Sequence, residues 1–138
     1  MDDAFIDDLL SLLPRFLGRL PPAQLRAFAA RLARVHVPAG TLLYRQGDDS
    51  DSMHFVVTGR LEVRVRDRHG DRRLVAQLSA GDCVGELSLL TGEPRAADVL
   101  VTRDAVLARV ACDDYEALIA RYPEAGLDIA RFALRTLR

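Results

Sequence analysis

The chain has 138 residues, 49% of them hydrophobic, and a formal net charge of -1 at pH 7. This length fits one domain with an ordinary apolar core and leaves no room for two. A nearly neutral chain without an obvious basic patch has no general attraction for nucleic acid or anionic lipid, so neither partner is expected.

The N-terminus lacks the features of a targeting segment. Residues 1–4 are acidic and are not followed by the apolar core of a signal peptide, and no apolar run reaches the length of a membrane span. Cys83 and Cys112 are the only cysteines and lie far apart in the chain, so reduced, buried thiols are expected. These features predict a cytoplasmic protein.

Amphipathic helices are predicted at the N-terminal end. From Phe5 to Leu13 apolar residues recur at three- and four-residue spacing, and Pro14 ends the pattern. Pro21 and Pro22 open another helix, since proline is tolerated in a first turn. The inner stripe of that helix consists of Leu25, Phe28, Ala29 and Leu32. Residues 1–35 are therefore predicted to cap the β-structure, with docking of a partner protein as the alternative use of the stripe.

Residues 36–111 are predicted to form an antiparallel β-roll of the jelly-roll type. Short β-rich runs are separated by glycines, and Leu61, Val63 and Val65 alternate with polar residues, which predicts a strand with one buried face. Further strands are predicted at 97–101 and 105–110. The hairpin around a glycine turn is crowded by Arg64, Arg66, Arg68, Arg72 and Arg73. A solvated strand face is the favoured interpretation of these arginines, and anion or partner binding is the less favoured one.

Residues 112–138 are predicted to form two C-terminal helices. Asp113 and Asp114 begin the first of them, and Pro123 separates it from the second. The second helix carries an apolar stripe of Leu127, Ala130, Leu134 and Leu137, flanked by Ile129 and Phe132. This stripe is expected to cover another part of the protein.

The stretch 85–99, GELSLLTGEPRAADV, carries the chemistry. A glycine followed by Glu86 predicts a short helix, whose first amides and positive dipole end favour an anion. Arg95 supplies a planar guanidinium suited to bidentate phosphate recognition, and the two small residues after it allow a ligand to approach closely. A carboxylate is repelled by phosphate, so Glu86 is expected to accept hydrogen bonds from a neutral donor such as a sugar hydroxyl.

This stretch resembles the phosphate-binding cassette of the cyclic nucleotide-binding domain family, whose usual form is F-G-E-L-A-L-L, a short gap and P-R-A-A or R-S-A. The segments 14–32, 37–48, 55–65 and 78–86 also follow the family's order, so the resemblance covers nearly the whole chain.

Two positions of the cassette region depart from the family's pattern. Val84 stands where an aromatic residue is usual, and Asp98 stands where threonine or an apolar residue is common. Because Asp98 lies an odd number of residues after Arg95, it is expected to point outward from the sheet.

The resemblance implies a ligand and a site. The glutamate takes the ribose 2'-hydroxyl, and the arginine with nearby amides takes the cyclic phosphate. The ligand-binding residues implied are Gly85, Glu86, Leu87, Ser88, Arg95, Ala96 and Ala97. Family members that favour cyclic GMP commonly have a threonine after the arginine; since this chain has Ala96, cyclic AMP is the expected ligand and cyclic GMP the second choice.

The resemblance also implies that the C-terminal helix closes over the base as a lid. Here the helix would carry Ile129, Phe132 and Leu134, whose apolar surface is expected to stay partly exposed without ligand. No catalytic motif is present and His36, His54 and His69 lie in separate segments, so neither catalysis nor a metal or cofactor is expected.

Three functions are consistent with the sequence. The favoured one is an α+β cyclic-nucleotide sensor domain whose output domain or partner protein lies beyond this chain, with homodimer formation left open. A transcription regulator of the catabolite activator type is disfavoured, because the 17 residues from Tyr122 onward are too few for a DNA-reading unit. The third is the regulatory domain of a patatin-like esterase, which the chain resembles in GEPRAADV and RYPEA. A degenerate domain that has lost nucleotide binding and acts in protein interaction is the remaining alternative.

Overall fold

Helices lie at both ends of the chain and strands lie between them in the computed structural model, which describes residues 3–136. The N-terminal helices are α1 (Asp3–Leu12), α2 (Pro14–Leu17) and α3 (Pro22–Ala30). The strands are β1 (Ala33–Val37), β2 (Leu42–Tyr44), β3 (Ser52–Arg66), β4 (Arg72–Leu78), β5 (Cys83–Val84) and β6 (Asp98–Ala111). A short helix, α4 (Glu86–Thr91), precedes β6, and α5 (Cys112–Arg121) and α6 (Pro123–Thr136) follow it.

The described strands form one antiparallel sheet centred on β3 and β6. The sheet order is β1-β6-β3-β4, with β2 also pairing with β6 and β5 with β3. The predicted boundary between the helical cap and the roll, at residues 35 and 36, falls inside β1. Val35 and Val37 already pair with Leu107 and Ala105 of β6, which extends the strand towards α3.

β6 is one continuous strand where two strands, 97–101 and 105–110, were predicted. Both halves pair with β3, and the polar residues between them are accommodated by shifts of register between Val56 and Leu61. Gly59 lies in this irregular stretch with φ of +102°, and a Cβ there would lie 2.6 Å from the Cβ of Ala105. A residue without a side chain therefore lets the two strands stay in contact.

The irregular stretch also changes which side chains of β3 face the inside of the roll. Before it, Val56 faces the interior of the roll, whereas Met53 and Phe55 pack against the helices. After it, Leu61 and Val63 face the interior. Even-numbered positions face inward in the first part of the strand and odd-numbered positions in the second.

Two apolar cores result from this arrangement. The helical core contains the fully buried Leu9, Leu13, Phe16 and Leu17 together with Met53 and Phe55 of β3. The core of the roll contains Val56, Leu61, Val99, Val101 and Leu107. The stripe predicted for α3 is buried, since Leu25, Phe28, Ala29 and Leu32 all belong to the helical core.

The stripe predicted for α6 is wrong. Leu127 is 50% exposed and Leu134 is 65% exposed, whereas Ile129 is fully buried. Ile129 and Phe132 both belong to the helical core, and the Phe132 ring centroid lies 4.2 Å from that of Phe16 on α2. Leu137 lies outside the described residues.

An ion pair between Arg19, in the turn after α2, and Asp128 of α6 accompanies this orientation of the last helix. Arg19 Nε donates to Asp128 Oδ2 at 3.0 Å, and a second hydrogen bond joins its Nη2 to the other carboxylate oxygen. Within residues 3–136, no helix has both the length and the apolar character needed to cross a bilayer.

Candidate functional site

A concave pocket of about 150 Å³ lies between α4 and the strands of the roll. All seven residues implied as ligand-binding line it: Gly85, Glu86, Leu87, Ser88, Arg95, Ala96 and Ala97. The remaining wall is formed by Tyr44, Val63, Val65, Val75, Ala76, Leu78, Cys83, Val84 and Val99. The pocket thus has a polar end at the cassette and an otherwise largely apolar wall.

Gly85 begins the cassette and brings its backbone against the arginine. Its φ is +88°, in the left-handed region that favours glycine, and α4 begins at the next residue. A Cβ on Gly85 would lie 2.5 Å from Arg95 Nη1 and 2.6 Å from the hydroxyl of Tyr44. Any side chain at this position would displace the guanidinium or the tyrosine.

Arg95 is 6% exposed and is held from several sides. Its Nη2 donates to Ser52 Oγ at 3.3 Å and lies 3.9 Å from a carboxylate oxygen of Asp51. Its backbone is fixed as well, since Arg95 N donates to Asp48 O and Gly47 N donates to Arg95 O, both at 2.8 Å. Arg95 Nη1 has no hydrogen-bond partner among the described residues.

Glu86 is 7% exposed at the start of α4. Burial raises the pKa of its carboxyl group, against a hydrogen bond from its own backbone, one from Cys83 and the attraction of Arg95. In the part of the chain that the structure describes, Glu86 Oε2 also lacks a hydrogen-bond partner. Two residues that line the pocket therefore carry one buried donor and one buried acceptor without a partner among the described residues.

Asp98 is buried, at 1% exposure, and the expectation that it points outward is wrong. It accepts hydrogen bonds from the backbone N–H of Gln46 at 2.7 Å and from Arg66 Nε at 3.0 Å, and Arg72 Nε lies 3.1 Å away. Burial opposes its charge, but these three donors outweigh burial and lower the pKa of Asp98. The expectation failed because β6 begins only at Asp98, so counting alternate residues from Arg95 gives no facing direction.

The Asp98 interaction also changes the interpretation of the arginine-rich hairpin. Arg66 and Arg72 are partly covered by their contacts with Asp98, and Arg64 pairs with Glu62 on the same strand. Arg68 and Arg73 are exposed, as expected for a solvated face. Two of the five arginines therefore pair with a buried aspartate whose chain neighbours, Ala97 and Val99, line the pocket.

The residues implied as a lid lie away from the pocket. Ile129 and Phe132 pack in the helical core, and Leu134 is exposed. None of the three is among the residues that line the pocket. The expectation that Ile129 is partly exposed without ligand is wrong, because this side chain is fully buried in the helical core.

Tyr44 and Ser52 contact Arg95 of the cassette, and His54 contacts Tyr44. None of the three was identified from the sequence as a site residue. Tyr44 lies on β2, and Ser52 and His54 lie on β3, all more than thirty residues before the cassette in the chain. No local spacing links them to Arg95, and only strand pairing brings them together. Across residues 3–136, no group of three or more histidine, cysteine, aspartate or glutamate side chains is arranged to hold a metal ion.

Solved structures share this fold. The chain superposes with a TM-score of 0.80 on the catabolite activator protein of Thermus thermophilus, at 30% identity, covering 91% of this chain and 58% of that one. The TM-score is also 0.80 for the regulatory domain of Toxoplasma gondii PKA, solved as a co-crystal with cAMP, at 28% identity over 85% of this chain and 45% of that one. The α+β fold predicted from the sequence is confirmed.

Curated relatives include much longer proteins. Patatin-like phospholipase domain-containing protein 7 of Rattus norvegicus is 38% identical over 90 residues, which are 65% of this chain and 7% of that protein. Lysophospholipase nte1 of Aspergillus terreus is 31% identical over 130 residues, which are 94% of this chain and 8% of that protein. The chain thus spans less than a tenth of the length of these two relatives.

A sequence profile connects these similarities to the pocket. The profile of the cyclic nucleotide-binding domain matches residues 34–122, a range that contains every residue lining the pocket. The chain therefore belongs to the cyclic nucleotide-binding domain family.

Proposed function

We propose that this domain binds a 3',5'-cyclic nucleotide in the pocket beside α4, with cyclic AMP as its preferred ligand. The observation that carries the proposal concerns Glu86 and Arg95, two residues that line one pocket: Arg95 Nη1 and Glu86 Oε2 are buried and have no hydrogen-bond partner among the described residues. Leaving such atoms unsatisfied costs free energy, so a ligand that offers both an acceptor and a donor is favoured there.

The phosphate is assigned to Arg95. Nη2 contacts Ser52, whereas Nη1 lies beside the backbone of Gly85 and has no partner among the described residues. A guanidinium of fixed orientation suits an anion with two accessible oxygens, as a cyclic phosphate has.

The ribose is assigned to Glu86. A hydroxyl can donate to Glu86 Oε2, whereas a second anionic oxygen would be repelled by the carboxylate. The proposal therefore requires Glu86 to be ionised when ligand is bound, and the nearby Arg95 favours that ionised form.

The base is assigned to the apolar wall of the pocket. Val63 and Val65 of β3 and Val75 of β4 offer an apolar surface to one face of a purine ring. Ala96, which follows Arg95, has no hydroxyl with which to meet a guanine amino group, and this supports cyclic AMP over cyclic GMP. The preference is tested by Ala96→Thr, which should move the affinity ratio towards cyclic GMP.

Calorimetric titration with a panel of cyclic nucleotides tests the proposal. Arg95→Ala should weaken cyclic AMP binding by about tenfold to more than a hundredfold, the loss of about 1.5 to 3 kcal/mol from a charged hydrogen bond. Glu86→Gln should weaken binding less, and Arg73→Ala, an exposed arginine outside the pocket, should leave it unchanged. Equal binding of cyclic AMP by wild type and Arg95→Ala would refute the site.

The output is proposed to lie outside these 138 residues. α6 packs against both α4 and α2, so a movement of the cassette would be felt by the last helix. Closure over the base would require Ile129 and Phe132 to leave the helical core. We therefore assign α6 to transmission through its packing on α4 rather than to contact with the base.

The patatin-like phospholipase and lysophospholipase relatives support one particular setting, a regulatory domain within a larger lipid-hydrolysing protein. A domain that has lost nucleotide binding and serves protein interaction is the competing function. The sequence of the full-length gene would show whether a lipid-hydrolysing domain accompanies this one. The calorimetric titration shows whether the domain binds a cyclic nucleotide.

A further inference from the structure

Two buried aromatic side chains behind Arg95 have no part in the ligand contacts proposed above. Tyr44 is 7% exposed and His54 is 5% exposed. The Arg95 guanidinium carbon lies 3.5 Å from the centroid of the Tyr44 ring, so the charged group lies directly on the ring face. Such a contact is attractive, and more so in a site from which water is excluded.

The hydroxyl of Tyr44 is fixed on its far side. It lies 2.6 Å from His54 Nδ1 and donates to the backbone oxygen of Val84 at 3.2 Å. A hydroxyl has one proton, so when that proton goes to Val84 O, His54 Nδ1 must be the donor to the tyrosine oxygen. The tyrosine hydroxyl then makes two hydrogen bonds, one with His54 of β3 and one with Val84 of β5.

Tyr44 and its neighbours restrict the guanidinium in three directions. The ring covers one face, Ser52 holds Nη2 at one edge, and the backbone of Gly85 lies beside Nη1. A side chain that served only to fill space on β2 would need neither a hydroxyl nor an aromatic face. The arrangement instead leaves Nη1 as a buried guanidinium atom without a partner among the described residues.

We propose that Tyr44 is a positioning residue for Arg95, that His54 and the Val84 carbonyl hold Tyr44 in place, and that this pair sets the orientation in which the guanidinium meets the ligand phosphate. The inference rests on the proposed function, since it assumes that Arg95 binds phosphate. Tyr44 itself acts through Arg95 and need not touch the ligand.

The test combines nuclear magnetic resonance of the arginine side chains with calorimetry. Protons above an aromatic face are shielded, so an Arg95 guanidinium resonance should lie upfield of the other arginines in the wild type, and Arg95→Lys identifies it by its loss. Tyr44→Phe should keep the upfield resonance, and Tyr44→Leu should lose it.

Cyclic AMP affinity should fall by about tenfold in Tyr44→Leu and by less than about threefold in Tyr44→Phe, given the usual strength of a desolvated cation–π contact. Tyr122→Leu, at a half-buried tyrosine in the helical core, is the matched control and should leave the resonance and the affinity unchanged. Thermal melting shows that each variant is folded.

The outcomes separate this inference from the proposed function. A wild-type domain that binds no cyclic nucleotide contradicts the proposed function and the role of Tyr44 with it. Wild-type binding together with equal binding by folded Tyr44→Leu overturns the role of Tyr44 alone. The same holds if no arginine resonance of the wild type is displaced upfield, even where Tyr44→Leu fails to fold.

Discussion

The buried imidazole of His54 should make the stability of this domain depend on pH. The pKa of His54 is lowered from its ordinary 6.5 to about 4, mainly by burial and to a smaller extent by the nearby Arg95 and Arg109, while Asp51 opposes them. The unfolded chain takes up a proton below pH 6.5, but the folded protein takes it up only near pH 4. The free energy of unfolding should therefore fall as the pH drops between these two values.

The size of the effect follows from the pKa difference. A pKa lowered from 6.5 to about 4 means that full protonation of His54 would reduce the free energy of unfolding by about 3 kcal/mol. About 2.5 kcal/mol of this reduction should occur between pH 7.5 and 4.5. Glu86 acts in the opposite direction, because its raised pKa makes the folded state bind a proton more readily than the unfolded chain. Comparison with a variant that lacks only His54 removes the contribution of Glu86.

Urea unfolding of wild type and His54→Phe at several pH values between 7.5 and 4.5 measures the effect. Phenylalanine keeps an aromatic ring at the buried position but does not titrate, and Tyr44 can still donate to Val84 O. The difference in unfolding free energy between the two proteins should shift by about 2.5 kcal/mol in favour of the variant as the pH falls.

The exposed His36 provides a matched control, since His36→Gln should leave the wild-type dependence unchanged. A wild-type-minus-His54→Phe difference that is the same at pH 7.5 and 4.5 would refute the reasoning. So would a His54 resonance that titrates near pH 6.5 in the folded protein.

Two further substitutions test the packing at Gly85 and the buried ion pairs of Asp98. Gly85→Ala should lower the stability by about 1 to 2 kcal/mol for its left-handed backbone and also weaken cyclic AMP binding, because the new Cβ would displace Arg95 or Tyr44. Gly92→Ala has a similar φ of +73° and nothing near its Cβ, so in calorimetry it should retain wild-type affinity; equal affinity in both variants would contradict the clash. Asp98→Asn should cost about 1.5 to 3 kcal/mol in urea unfolding at pH 7, because it removes the charge from a buried acceptor. Glu62→Gln, at a partly exposed ion pair, should cost less than about 1 kcal/mol, and a similar small loss for Asp98→Asn would show that the Asp98 contacts contribute little.

The sequence predicted best what is local in the chain. The cassette lies within fifteen consecutive residues, so its glycine, its short helix and its arginine could be identified from their order alone. Two helices of the N-terminal cap, α1 and α3, were equally accessible, because their apolar spacing repeats over a few turns and proline marks a boundary of each; the short helix α2 was not predicted.

The sequence predicted poorly what depends on contacts between distant segments. Asp98 was assigned to the surface because neither the start of β6 nor the approach of Arg66 and Arg72 could be read from residue spacing. The apolar stripe of α6 was misplaced because two apolar faces compete on that helix, and the packing of Phe132 on Phe16 decides between them. Tyr44 and His54 could not be connected to Arg95, because the register of β2, β3 and β5 brings them together.

The irregular stretch of β3 lets even-numbered residues before it and odd-numbered residues after it face the same side of the sheet. Ser52 and His54, which support the arginine, precede the stretch at even positions, whereas Val63 and Val65, which form the apolar wall, follow it at odd positions. A regular strand would show these two sets to opposite faces of the sheet. Deleting one residue between Val56 and Leu61 would therefore turn the apolar wall outward while the arginine support stayed in place. The number of residues between the two halves of β3 therefore matters to the ligand site as much as the side chains do. A related sequence with a one-residue gap in this strand would place different side chains in the pocket.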